Sequence, residues 1–301
     1  MGSSDDASVY SIGDGSALVQ TVDIITPVVD DPYIYGQIAA ANSLSDIFAM
    51  GADVLTALNI VGFDACNHPR EVLAEMLAGG MEKVKECGGV VTGGHTIETP
   101  EMLYGLSVTG IADPSAIYRN DTPREGDLLV LGKALGMGVL TTALKADMLP
   151  DESISAIAST MAQLNYAASI AMREYDVSAC TDITGFGLIG HACEMSAGRV
   201  TLRLDFAAVP IMEKASEMAA MGIIPAGTYA NYASYNRMTE WVGGYEDEML
   251  LYDAQTSGGL LIAVREKEAE SLKRRLIDEG YEYASIVGEV MPATSKRVRI
   301  V

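Results

Sequence analysis

The first 69 residues contain no Lys or Arg, and this constrains the fold and the chemistry more than any other feature. Aspartates are frequent in the same segment, and the first Lys or Arg is Arg70. A carboxylate that is partly buried must be stabilised by a cation. Because no Lys or Arg is nearby in sequence, we expect a divalent metal ion there. The aspartates that border apolar or glycine-rich runs are Asp5, Asp6, Asp23 and Asp46.

The overall composition excludes several classes of partner. A formal net charge of -21 argues against nucleic acid and anionic membranes, because both require a positively charged face. The sequence has no apolar run of about 18 residues for a membrane helix, and no basic region followed by an apolar region at its start, as a signal peptide needs. We expect a cytoplasmic protein. Its cysteines form no CxxC pair and are expected as reduced, buried thiols: Cys66, Cys87, Cys180 and Cys193.

Strand-like and helix-like segments alternate irregularly, which predicts a mixed α+β protein rather than a strict βαβ order. The polar segment 113–126, with two prolines, is the predicted linker between an N-terminal domain over 1–112 and a C-terminal domain over 127–301. The predicted strands are 16–25, 54–63, 103–112, 127–132, 179–182, 200–206, 259–264 and 284–290. The predicted helices are 35–50, Pro69 to Gly88, 138–147, 152–174, 185–194 and 266–280.

Three aspartates are candidate metal ligands. Asp46 lies on the predicted helix 35–50, four residues after Asn42 and therefore on the same face. Asp6 follows Asp5 near the start of the sequence, and Asp182 ends a predicted strand. Carboxylates of this kind suit Mg²⁺, which binds hard oxygen ligands. Each aspartate also has a structural interpretation: a polar turn for Asp6, a hydrogen-bond partner for Asp46 and a helix cap for Asp182.

Two glycine-containing motifs are candidates for anion binding. In the first, Gly93, Gly94 and His95 follow a short strand, and we expect a turn whose backbone N–H groups approach a phosphate; a simple tight turn is the alternative. It is not a Walker A loop, because no GxxxxGK[ST] pattern occurs. In the second, over 181–191, a strand end leads through glycines into a helix. We interpret His191 as a hydrogen-bonded core residue.

Taken together, the motifs resemble selenophosphate synthetases (selenide, water dikinases) along essentially the whole chain. The long motifs TDITGFGLIGH and QTSGGLL separate this family from relatives such as thiamine-phosphate kinase and a hydrogenase maturation enzyme. Departures such as Tyr252 and Ala254, just before QTSGGLL, are expected in a surface turn. The segments that carry the resemblance are 5–10, 26–32, 40–51, 93–95, 104–110, 181–191 and 255–261.

The resemblance implies a two-domain aminoimidazole ribonucleotide synthetase-like (PurM-like) α+β fold, with N-terminal strands forming the barrel of a homodimer. It also implies an ATP site between the domains and the reaction of ATP, selenide and water to selenophosphate, AMP and phosphate. By position, the implied Mg²⁺ ligands are Asp6, Asp46 and Asp182. The implied nucleotide contacts are Ser3, Ser4, Asp5, Asp23, Asp46, Gly93, Gly94 and His95.

The family's catalytic Cys or selenocysteine and a nearby Lys lie upstream of the pair that Asp5 and Asp6 match, and no residue here aligns with them. No catalytic residue is therefore assigned, and we expect these 301 residues to fold but to make little selenophosphate on their own. An internal start after a selenocysteine codon read as a stop, a shortened paralogue and a deliberate deletion stay open. The functional alternatives are a non-catalytic Mg-nucleotide-binding homologue and another ATP-dependent enzyme of the superfamily.

Overall fold

The computed structural model describes residues 5–13, 15–244 and 247–301. The chain divides into two compact units. The first contains residues 6–117 and 151–166, and the second contains Asp5, 118–150 and 167–301. Among the described residues, none of the helices combines the length and the apolar character that a bilayer crossing needs.

The elements of the described residues are numbered in chain order. The strands are β1 Ser8–Gly13, β2 Ser16–Ile25, β3 Asp53–Phe63, β4 Val90–Glu98, β5 Leu103–Ala112, β6 Asp127–Leu131, β7 Val177–Asp182, β8 Val200–Leu204, β9 Thr239–Trp241, β10 Leu260–Arg265, β11 Ser285–Pro292 and β12 Val298–Ile300. The helices are α1 Pro32–Ala49, α2 Arg70–Glu86, α3 Met137–Lys145, α4 Asp151–Ala162, α5 Tyr166–Met172, α6 Gly187–Ser196, α7 Ala215–Ala220, α8 Ala226–Tyr235 and α9 Glu266–Asp278.

The first unit is a five-stranded sheet of order β1-β2-β5-β3-β4 with α1 and α2 packed on it. Helix α1 begins at Pro32, and the side chain of Asp31 caps it by accepting from Ile34 N (2.9 Å). Its residues are buried nearly all round, as the sequence predicts. Helices α1 and α2 approach closely at Gly36, where a Cβ would lie 2.0 Å from Met76 O.

The hydroxyl of Ser43 connects α1 to the sheet by hydrogen bonds. Its single hydrogen is shared between the carbonyl oxygens of Asp23 on β2 and of Ala39 one turn earlier in α1 (both 2.9 Å), and its oxygen accepts from the N–H of Leu106 on β5 (3.1 Å). A buried hydroxyl is stable only when it is hydrogen-bonded, so these contacts fix the position of α1 along the strands. The helix therefore presents the residues around Ser43 to β2 in one defined register.

The second unit is a seven-stranded sheet of order β7-β10-β6-β11-β8-β12-β9. Most neighbours are antiparallel, whereas β12 is parallel to both β8 and β9. Helix α6 packs on β7, β8 and β12, and α9 packs on β6, β10 and β11. The interior strand β10, between β7 and β6, is buried along nearly its whole length, which explains its continuous apolar sequence.

The α+β class is confirmed, and so are the predicted strands 16–25 and 103–112 at their stated bounds. Three predictions are wrong. The segment 152–174 forms two helices, α4 and α5, rather than one. Residues 93–95 lie within β4 and not in a turn. Strand β1 and several short C-terminal elements were not predicted, because their three to ten residues show no clear period.

Two predictions about exposure are also wrong. Cys66 is exposed, whereas Cys87, Cys180 and Cys193 are buried as expected. Tyr252 is fully buried instead of lying in a surface turn, because its ring packs against the rings of two aromatic residues of the same unit. These are Tyr232 and Trp241, at centroid distances of 5.2 and 6.3 Å.

Candidate metal and nucleotide site

A group of polar side chains connects α1 to β2 in the first unit. Asn42 Nδ2 donates to Asp23 Oδ2 (3.1 Å), and the hydroxyl of Thr21 donates to Asp46 Oδ2. Asn42 and Asp46 thus share one face of α1, as predicted, and Thr21 and Asp23 alternate on one face of β2. Asp46 therefore accepts a hydrogen bond from Thr21. This bond does not compete with metal binding, because a carboxylate has two oxygens.

Asp6 approaches this group from the residues just before β1. One carboxylate oxygen of Asp6 lies within 4.8 Å of one of Asp46. Both residues are half-buried, so the two negative charges repel each other through a medium less polar than bulk water. Two hard oxygen donors at this separation are the ligand type that Mg²⁺ binds. The donor set therefore fits the metal that the sequence predicts.

Asp5 and the two serines before it are sequence-predicted nucleotide contacts. The Asp5 carboxylate accepts from Asn120 N (3.0 Å) and lies 4.0 Å from Arg119 Nε. Asp5 therefore has an anchoring role within the second unit. Ser3 and Ser4 lie outside the described residues, and their assignment stays a prediction.

Asp182 is the last residue of β7 and is 2% exposed. Asp182 pairs with Leu260, and the regular pairing of β7 with β10 ends at this residue. The interpretation of Asp182 as a helix cap is wrong. Helix α6 begins after its N-cap residue Phe186, so Asp182 does not occupy the cap position. A carboxylate this deeply buried is costly unless other groups stabilise its charge.

The Gly93–Gly94–His95 motif lies on the edge strand β4, which β5 and β3 separate from β2. The pairing continues from Asp23 across β5 and β3 to Gly94. At about 4.8 Å per strand, the distance from Asp23 to Gly94 is about 14 Å. His95 follows Gly94 and points to the opposite, exposed face of the sheet. The first unit by itself does not bring these residues to Asp23 and Asp46.

The close approach of β4 to β3 explains why position 94 is glycine, although no turn lies there. Strand β4 has a bulge opposite Ala57 and Leu58. Gly94 has φ +155, and a Cβ there would lie 2.3 Å from Asn59 O. Only glycine fits this close approach of two strands.

The QTSGGLL motif has a structural role that the sequence did not reveal. The side-chain oxygen of Gln255 accepts from Gly136 N and Met137 N (both 3.1 Å) at the start of α3. The buried Lys133 donates to Ser257 O (2.8 Å). A lysine within the otherwise apolar run 128–135 is unusual, and this signal could have indicated that Lys133 makes a buried hydrogen bond.

The fold places the chain in the class of AIR synthase related proteins. Residues 4–112 match the N-terminal domain of that class, and residues 124–301 match its C-terminal domain. Two solved structures show the same fold at low identity. Thiamine monophosphate kinase from Aquifex aeolicus has a TM-score of 0.71 and 15% identity over 98% of this chain and 90% of its own. HypE, a hydrogenase maturation protein from E. coli, has a TM-score of 0.69 and 18% identity over 94% and 82%.

A curated relative narrows the class to a family. The chain is 54% identical, over 299 residues, to a selenide, water dikinase from Aliarcobacter butzleri, covering 99% of this chain and 87% of the relative. This chain belongs to the selenide, water dikinase family. The resemblance that the motifs carry is thereby confirmed.

Proposed function

We propose that this chain, together with whatever natural sequence adjoins it, catalyses the ATP-dependent formation of selenophosphate, in which ATP, selenide and water give selenophosphate, AMP and phosphate. The observation that carries the proposal is the 54% identity to a selenide, water dikinase over 99% of the chain. The carboxylates of Asp6 and Asp46, within 4.8 Å of each other in the first unit, support it. They are the donor set for the divalent cation with which ATP binds.

We further propose that Asp6, Asp46 and Asp182 hold Mg²⁺. When bound, the metal would offset the charge of the triphosphate. The hydrogen bond from Thr21 restricts the Asp46 side chain, and the bond from Asn42 restricts Asp23. Restrained carboxylates lose less conformational entropy when they bind a ligand. This restraint is the contribution of α1 and β2.

The proposed nucleotide contacts are Asp23, Asp46, Gly93, Gly94 and His95, together with Ser3, Ser4 and Asp5. Within one copy of the first unit, Asp23 and His95 project from opposite faces of one sheet. A single nucleotide would contact both only if a second copy supplied one of them. This assignment therefore depends on the proposed homodimer.

We propose that the homodimer forms through the open face of the five-stranded sheet. Helices α1 and α2 cover one face, and the other carries a row of large exposed apolar side chains. An apolar face of this kind is unusual on a monomer and fits a self-complementary interface. The exposed residues are Tyr10, Ile12, Val22, Ile24, Leu55, Leu58, Val90 and Ile97. The cytoplasm as the location stays a prediction from the sequence.

Product analysis tests the proposed reaction. The protein is prepared with whatever natural sequence adjoins residues 1–301, and phosphorus NMR follows ATP with and without selenide. We expect AMP, phosphate and a selenophosphate signal that all require selenide. ADP as the product would instead indicate another ATP-dependent enzyme of the class. MgATP binding without turnover would indicate a nucleotide-binding homologue, and either result contradicts the proposal.

A further inference from the structure

The chain is fixed firmly at Thr184, two residues after Asp182. Its N–H donates to His191 Nε2 (3.1 Å), and its hydroxyl lies 3.3 Å from the same nitrogen. The Thr184 carbonyl accepts from the N–H groups of Gly187 and Gln255, both at 3.0 Å. Both backbone polar groups of Thr184 are therefore engaged within the second unit.

The residue between them is fixed as well. Ile183 is fully buried, and its N–H donates to Gly259 O (2.9 Å). Upstream, Asp182 itself ends the regular pairing of β7 with β10. The backbone on both sides of the carboxylate is thus held, by the sheet before it and by Thr184 after it.

The contact with Thr184 determines the tautomer of the neutral His191 ring. A backbone N–H can only donate, so Nε2 must accept, and the neutral ring then carries its hydrogen on Nδ1. Nδ1 lies 3.4 Å from Glu194 Oε2, one helical turn further along α6. The ring is 6% exposed and packs against Phe186 at 5.6 Å between centroids. One tautomer and one ring orientation are therefore fixed.

We propose that His191 is a positioning residue for the Asp182 carboxylate. The inference rests on the proposed function, in which Asp182 is a ligand of Mg²⁺. His191 itself contacts neither metal nor nucleotide in this proposal. It holds Thr184, and thereby the short backbone segment that sets the direction of the Asp182 side chain. Metal affinity depends on such supporting groups, because a ligand that is already oriented binds more tightly.

A purely structural role for His191 predicts different behaviour. If the ring only filled space, a ring of similar volume would preserve metal binding. If its Nε2 positions the turn, loss of the acceptor should weaken metal binding even in a folded protein. An acceptor placed at the same point should restore that binding.

The test compares variants by a titration that requires no turnover. Mn²⁺ binding to the full chain in the presence of ATP is followed by electron paramagnetic resonance, with Mg²⁺ as competitor. His191→Phe keeps a ring without the acceptor, and His191→Gln places an amide oxygen near the position of Nε2. Ser196→Ala is the matched control, because Ser196 is buried on the same helix and donates to Val200 O (2.6 Å) away from the turn. Asp182→Asn tests the metal site itself.

We expect His191→Phe to weaken metal binding by about tenfold or more and His191→Gln to stay within about threefold of the unaltered chain. Ser196→Ala should bind normally. If His191→Phe does not fold, His191→Asn, whose amide ends short of Thr184, replaces it with the same expectation.

The possible outcomes distinguish a failure of the positioning role of His191 from a failure of the proposed function. Normal metal binding in the folded His191→Phe variant, together with weak binding in Asp182→Asn, overturns the positioning role and leaves the proposed function intact. Normal binding in Asp182→Asn overturns the metal assignment on which both rest. Equal weakening in His191→Phe and His191→Gln would contradict the role of the acceptor.

Discussion

Asp253 is a fully buried carboxylate that caps α3 from a distant part of the second unit. Its Oδ2 accepts from Gly138 N (2.9 Å), Val139 N (3.2 Å) and Gln255 Nε2 (3.0 Å), and its Oδ1 accepts from the hydroxyl of Thr228 (2.9 Å). These bonds favour the charged form. Burial outweighs them and raises the pKa of Asp253 from 3.8 to about 6.

This pKa makes the stability of the second unit depend on pH. Between pH 3.8 and about 6, the folded state holds a proton on Asp253 that the unfolded state has released. The stabilisation is therefore complete below pH 3.8 and is lost as the pH rises to about 6. The whole difference between these pKa values corresponds to about 3 kcal/mol.

Replacement of Asp253 by Asn removes the charge and keeps the volume. The amide oxygen can occupy the position of Oδ2, and the NH₂ group can then donate to Thr228, whose hydroxyl accepts as well as donates. At pH 8 we expect Asp253→Asn to be more stable than the unaltered chain by up to about 3 kcal/mol. At pH 5 the advantage should be smaller by about 1.4 kcal/mol, because the native carboxyl is then largely protonated.

Urea unfolding at pH 5, 6.5 and 8 measures this effect. Trp241 is the sole tryptophan of the sequence and packs in the second unit near Tyr252, so its fluorescence follows that unit. Asp253→Ala is the contrasting variant. It deprives two N–H groups at the start of α3 of their acceptor and should cost more than about 2 kcal/mol. A destabilised Asp253→Asn at pH 8, or an advantage that does not change with pH, would refute the reasoning.

Three further predictions concern packing, thiol reactivity and assembly. Gly36→Ala should destabilise the first unit by more than about 2 kcal/mol in thermal unfolding, because its Cβ would overlap Met76 O; an unchanged midpoint would contradict this close approach. Mild alkylation of the native chain should modify Cys66 first, since the other three thiols are buried, as peptide mass spectrometry can check; equal labelling of all four would contradict it. Val22→Glu, on the open sheet face, should yield monomers in light scattering, whereas Met221→Glu on the second unit should not; a stable Val22→Glu dimer would exclude this interface.

The sequence predicts well those features that depend on local patterns. The β-branched run over 16–25 forms β2 at the predicted bounds. The spacing of Asn42 and Asp46 places both side chains against β2. Helix periodicity and strand alternation are local properties, so they survive in the folded structure.

Features that depend on distant contacts were not predicted. The polar contacts of Asp253 and Gln255 serve the start of α3, more than 100 positions earlier in the sequence. Gly94 is needed because Asn59 approaches it across a bulged strand pair. No local pattern reports the neighbours that the fold supplies, so Gly93–Gly94 suggested a turn where a strand lies.

Calorimetry of ATP binding with and without Mg²⁺ tests most directly the proposal that the carboxylates of the first unit bind ATP through a divalent cation. Asp46→Asn removes a proposed ligand at constant volume. Asp30→Asn removes the same charge from an exposed position of the same unit. We predict that Asp46→Asn folds normally but binds MgATP at least about tenfold more weakly, whereas Asp30→Asn binds like the unaltered chain. Unchanged MgATP binding in a folded Asp46→Asn protein would contradict the proposal.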